Sequence, residues 1–166
     1  MPKEGRPEPS RVAGERETLE KYLDYHRATL LWKTEGLSDE DLRQAVAPSG
    51  LTLLGLAKHL AYVERYWFQS VFAGIDVQFP WSDEDPDADF RVEPDETTEQ
   101  ILALYRTECE RSREISAAAS LEDRAQGPRT RELTLRWILA HMVEETARHN
   151  GHADIIRELI DGSTGD

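Results

Sequence analysis

Four long stretches of this chain carry apolar residues at intervals of three and four positions, and glycines and prolines separate them. Only a helix gathers that spacing into one stripe, so the period restricts the fold more than any other feature. The first stretch spans residues 14 to 36 through Leu19, Leu23 and Leu30, with Gly36 as its stop. Ser38 followed by three acids then marks the cap of a short helix that ends before Pro48. A second long helix is expected from Thr52 to Phe72, closed by Gly74, with Leu56, Leu60, Val63 and Trp67 as its core stripe. The same arithmetic sends Lys58, Glu64 and Arg65 away from the core. A third starts near Asp95 to Thr97, where Thr97 and Gln100 have the spacing of a capping box, and dissolves near Ser120. The last runs from a cap at Thr130 to about Ile160.

With no series of strand-like segments, the expectation is an all-α four-helix bundle. It carries a crossover of about twenty residues between the second and third long helices, long for a compact domain. Residues 1–12 are polar and Pro-rich and are expected to form a flexible lead-in to a single domain over residues 13–161. They lack the apolar core of a secretory signal, and no stretch of about 18 apolar residues is present to span a bilayer.

Acids exceed bases by thirteen. That balance repels phosphate backbones and anionic headgroups, which argues against nucleic-acid and membrane partners. The only cysteine, Cys109, has no internal partner and sits between Glu108 and Glu110, so it is neither a disulfide former nor a lowered-pKa nucleophile. A reducing, cytoplasmic setting fits.

The last helix contains residues 138–156, ILAHMVEETARHNGHADII, with three of the five histidines. At about 100° per residue, Glu145 and His149 lie about 40° apart and one turn along the axis. Ile138, Met142 and Leu135 share their side, which places a carboxylate toward the core, where it requires a compensating partner. A metal cation is one such partner; ordinary polar residues on a half-buried helix are the plainer account. His59 occupies the flank of the second helix's apolar stripe, also aimed near the core. Two histidines and one carboxylate would leave coordination positions open, as catalytic sites do. His152 is a candidate to stand behind His149 or to touch substrate, whereas His141 and His26 read as packing residues.

The crossover holds FPWSDEDPDADF, residues 79–90, whose alternating acids invite comparison with an EF-hand loop. Ala88 replaces the turn glycine and Pro94 stands where the bidentate Glu is needed, so a solvated loop pinned by Trp81 and Phe90 is the better reading. Tyr62, Tyr66 and Arg27 are candidates to line a pocket, with core packing as the alternative; Trp32 and Trp81 are candidates for a partner or homodimer interface, again against core packing.

The segments LAKHLAYVERYWF (56–68) and ETARHNGHADIIRE (145–158), with LDYHRATLLWKTEGLS in the first helix and the FPWSDEDPDADF loop, resemble the DinB/YfiT-like superfamily of metalloenzymes, and more closely its actinobacterial mini-circle branch. The resemblance covers residues 14 to 160 and implies an up-down-down-up bundle. It implies a divalent ion held by a His of the second helix and a His-x-x-x-His pair of the last. Glu145 stands where the first of that pair is usual, and His152 where a Gln often follows; the Glu form is similar to the mycothiol-dependent maleylpyruvate isomerase branch. The resemblance thus implies His59, Glu145 and His149 as ligands, with zinc favoured over nickel or iron, which such ligand sets do not sharply exclude. It further implies mycothiol as co-substrate and an S-transferase or isomerase acting on a small electrophile, because a metal-coordinated thiol ionises at neutral pH. A water-activating hydrolase would use the same open position. The competing class is a non-catalytic bundle whose metal only neutralises Glu145 and whose role is a dimer or partner interface.

Overall fold

The computed structural model describes residues 6, 8–128, 130 and 132–165. The chain is all-helical, with α1 at Glu15–Thr34, α2 at Asp39–Arg43, α3 at Leu53–Glu64, α4 at Thr98–Ala117 and α5 at Leu135–Asp161. Four are long and α2 is a single short turn-and-a-half, so the bundle expected from periodicity is the fold observed. Among the described residues the only β pairing is one isolated bridge, Arg124 with Thr134. α1 packs chiefly on α5 and α3 on α4, while α3 also touches α5 and α1. Their shared interior is filled by Leu23, Leu30, Leu56, Leu60, Ile138 and Met142, all nearly inaccessible to solvent. Each such leucine contributes about 1.5–3 kcal/mol relative to its exposed state.

The helix ends follow local chemistry. Ser38 and Asp41 form a reciprocal capping box on α2, as Thr97 and Gln100 do on α4. The expected cap at Thr130 is displaced: α5 begins at Leu135, with the Thr134 hydroxyl accepting from the Trp137 amide at 3.3 Å. Thr130 is committed to an earlier turn, its hydroxyl donating to the Gly127 carbonyl at 3.1 Å. Both threonines have capping chemistry, and only the path of the preceding loop decides between them. α5 stops at Gly162, whose φ of 75° is open to glycine at little cost.

The second long helix departs from expectation in two ways. It is not α-helical throughout 52–72: after Glu64 it continues as a π-helix over Arg65–Phe72, closing with the Ala73 amide donating to the Phe68 carbonyl five residues back. Polar side chains bonded to α4 hold the wider coil, with Arg65 at 2.6 Å and Gln69 at 2.5 Å from the carboxylate of Glu108. Second, Lys58 and Glu64 do not point away from the core. Lys58 is buried against Glu96 at 2.8 Å and the Arg91 carbonyl at 2.7 Å, and Glu64 against Arg27 at 2.7 Å. Each found its partner on another element, which a one-helix count cannot see. Trp67, expected in the core, is half-buried against Trp137 and His141, and its neighbour Phe68 is fully buried instead.

The flexible lead-in expected at residues 1–12 falls partly outside the described residues. Within it, the Arg6 guanidinium lies 3.9 Å from the centre of the Trp32 ring, and Trp32 is buried beneath it.

Residues 73–97 form the crossover, which folds back over the N-terminal half of α3. A Cβ at Gly55 would lie 2.4 Å from the Phe90 carbonyl oxygen and 2.9 Å from the Thr52 hydroxyl, so only glycine permits this approach. Gly55→Ala should therefore push Phe90 off α3 and lower stability by about 1–3 kcal/mol, the usual range for overpacking. A chemical denaturation midpoint equal to wild type would show that the loop yields freely.

Candidate metal centre

α3 and α5 face each other near their midpoints, and the crossover closes the gap between them. His59 projects from α3, Glu145 and His149 project from successive turns of α5, and one ligand-type atom of each lies within 4.8 Å of the others. Glu145 Oε1 is 3.2 Å from His149 Nε2 and 3.8 Å from His59 Nε2. The structure thus brings together the three residues that the sequence singled out, at side-chain exposures of 13% for His59, 21% for Glu145 and 10% for His149.

The His59 ring is fixed from outside the group. Its Nδ1 is 2.8 Å from Oδ2 of Asp89, itself buried, and Phe90 stacks on the ring with centroids 3.8 Å apart. With Nδ1–H donating to that carboxylate, Nε2 of the neutral ring carries the lone pair. This atom is buried, has no hydrogen-bond partner, and is directed at Glu145. A lone pair facing a carboxylate in a largely buried position is stabilised by a cation between them, a proton or a metal ion. Donors on one tetrahedral ion, each about 2.0–2.2 Å from it, stand roughly 3.3–3.5 Å apart, a separation that the 3.2 and 3.8 Å contacts bracket. The residues therefore fit a small divalent ion.

The Glu145 carboxylate and the His59 imidazole shift one another's ionisation. His149 first, and His59 after it, hold Glu145 well below the usual carboxylate range. Burial disfavours charge on His59, but the hydrogen bond to Asp89 and the negative charges of Asp89 and Glu145 together outweigh it and raise its pKa.

His152 stands behind His149, with their Nδ1 atoms 3.4 Å apart. His141 lies outside the group, stacked on Trp137 with centroids 5.1 Å apart and edge-on to Trp67. His26 is in contact with Asn150, whose amide donates to its carbonyl at 2.9 Å, and burial lowers its pKa. Cys109 is buried, and burial together with Glu64 pushes its thiol well above the ordinary range, away from nucleophilic use.

Beside His59 opens a cleft of about 400 Å³ between α3 and the crossover, lined in part by Tyr66, Trp81 and Phe90. Tyr62 stands behind Trp81, edge-on at 6.1 Å. Arg27 does not belong here: it lies at a separate cleft lined by α1 and α4, locked to Glu64. The residue that sequence reasoning missed is Asp89. Read as one of the alternating acids of a solvated loop, it differs in its adjacency to Phe90, a local sign that its backbone turns inward. Its neighbours have other roles, with Asp85 paired to Arg91 at 2.6 Å on the surface.

An all-α bundle whose second and last long helices converge on a His, Glu, His group defines a DinB-like protein. The chain belongs to the mycothiol S-transferase family, whose pattern it matches over residues 18–162. No match is found among curated proteins. Among the described residues no helix is long and apolar enough to cross a membrane.

Proposed function

We propose that the protein is a zinc-dependent S-transferase that joins a mycothiol-type thiol to a small electrophile, with His59, Glu145 and His149 as the metal ligands. The observation that carries this reading is the buried, unbonded Nε2 of His59, aimed at Glu145 beside His149; the family match adds the thiol. An ion bound there supplies Lewis acidity that lowers the pKa of a coordinated thiol. The chain does the rest. Asp89 holds the proton on His59 Nδ1 and keeps Nε2 free to bind. Contact between the Nδ1 atoms of His152 and His149 orients the second imidazole. Glu145 supplies the negative charge that retains the cation, and Phe90 covers the His59 face and keeps water from it. The free, buried Cys109 supports a reducing, cytoplasmic setting.

Purified protein loaded with zinc should bind a mycothiol-type thiol, shift the thiol's ionisation downward, and conjugate at least one of a panel of alkylating electrophiles. Binding of zinc with no exchange of solvent or thiol at the ion would instead mark a closed, structural site. Asp89→Asn leaves an amide of the same size that no longer accepts as an anion. Zinc affinity should fall by about 10–100-fold, the usual effect of removing a carboxylate behind a ligating imidazole. An affinity within twofold of wild type, measured by competition with a chromophoric chelator, would refute the positioning role.

A further inference from the structure

Resting on the metal-and-thiol reading above, we infer that the cleft beside His59 selects its electrophile by charge, admitting flat apolar molecules that are neutral or cationic and rejecting carboxylated ones. Its walls are Val63, Tyr66, Trp81, Pro86 and Phe90. Trp81 is itself held rigid, stacked on Phe79 with centroids 4.4 Å apart. Aromatic walls of this kind take a planar ring and also attract a cation.

Among the described residues, the charged groups that line the cleft besides His59 are Asp87 and Asp89, and no described lysine or arginine lines it. The arginines on the flanking segments are committed elsewhere, Arg65 to Glu108 and the Gln78 carbonyl, Arg91 to Asp85 and Glu93. A divalent ion is balanced by Glu145 and Asp89, a thiolate adds one negative charge, and Asp87 adds another at the mouth. A carboxylate entering this space meets net negative charge and, among the described lining residues, no cationic partner, with the Tyr66 hydroxyl and the Trp81 N–H as neutral donors. A dicarboxylate such as maleylpyruvate is the disfavoured extreme.

The test uses three para-substituted benzyl bromides on the zinc-loaded protein: methyl, trimethylammonium and carboxylate. In each, the thiol sulfur forms a bond to the benzylic carbon as the carbon–bromine bond breaks, bromide leaves with the electron pair, and the thiol proton passes to buffer. After division by the uncatalysed rate, kcat/KM for the methyl and ammonium compounds should exceed that for the carboxylate by about tenfold or more, as expected for a unit charge a few ångströms from uncompensated acids. Asp87→Lys should shrink that ratio by about fivefold or more. The matching benzyl alcohols, which cannot react, are titrated in parallel while the Trp81 indole resonance is followed by NMR. Charge-ordered binding without turnover of any bromide would sink the transferase reading and support the cleft inference. Turnover with no charge order, a preference for the carboxylate, or no binding of any of the three alcohols would overturn the inference.

Discussion

Glu145→Gln is expected to weaken zinc binding by at least about 100-fold, more than the loss of a group that merely orients a ligand. The amide preserves the side chain's size but removes the one negative charge shared between His59 and His149, at 3.8 and 3.2 Å. His59→Ala should do the same from the opposite helix, since it deletes the buried Nε2 that has no other partner. Stability gives an independent readout. A ligand at 1,000 times its dissociation constant stabilises the fold by about 4.1 kcal/mol, and each kcal/mol shifts the melting temperature of a domain this size by about 2–4 °C. Wild type should therefore gain roughly 8–16 °C with zinc, and both variants should lose most of that gain. Metal-free Glu145→Gln should melt near the metal-free wild type, because Glu145 lies outside the apolar core, whereas metal-free His59→Ala should melt lower, because it strips the buried Asp89 of its partner at 2.8 Å. If elemental analysis found equal zinc in all three proteins, the site would be elsewhere.

The ease with which this group could be read from sequence follows from where its parts lie. Glu145 and His149 are one turn apart on one helix, so a single periodicity count places them together. His59 needs only the added knowledge that the second long helix buries the face beside it. Asp89 needs the path of the crossover, which is set by the close approach of Phe90 to Gly55 and by Lys58 reaching the Arg91 carbonyl. Both contacts join residues more than thirty positions apart, and no local pattern contains them. The same division holds for the fold. The cap at Ser38 and the capping box at Thr97 are local and legible, as is the end of the last helix near Ile160, within a residue of Asp161. The π-helical turn of Arg65–Phe72 and the inward course of Lys58 and Glu64 depend on partners from other elements, which a helical wheel treats as solvent.

The pair that most clearly defeats the wheel should also give the largest loss of stability. Arg27 of α1 donates twice to Glu64 of α3, through Nε and an Nη, both at 2.7 Å, and the two side chains are 5% and 1% exposed. Burial alone would lower the arginine's pKa, but the attraction and hydrogen bonds of Glu64 raise it instead, so the charge persists inside the bundle. Arg27→Met should leave the Glu64 carboxylate without its counter-charge, with Cys109 Sγ at 3.9 Å as a weak donor. Losing one member of such a pair costs about 3–5 kcal/mol, or roughly 6–20 °C in melting temperature for a chain of this length. The double variant Arg27→Met with Glu64→Leu removes both charges and both desolvation penalties while conserving bulk. It should recover most of the loss, because a buried ion pair exchanged for packed apolar side chains is commonly neutral or stabilising. Additive losses in the double variant, read by denaturant midpoints, would mean that the two residues act independently and that the bonds between them carry little of the fold's stability. Recovery would instead show that the pair's worth lies in mutual compensation. In that case its role is to fix the register of α1 against α3, and so the height at which α5, packed chiefly on α1, presents Glu145 and His149 to His59.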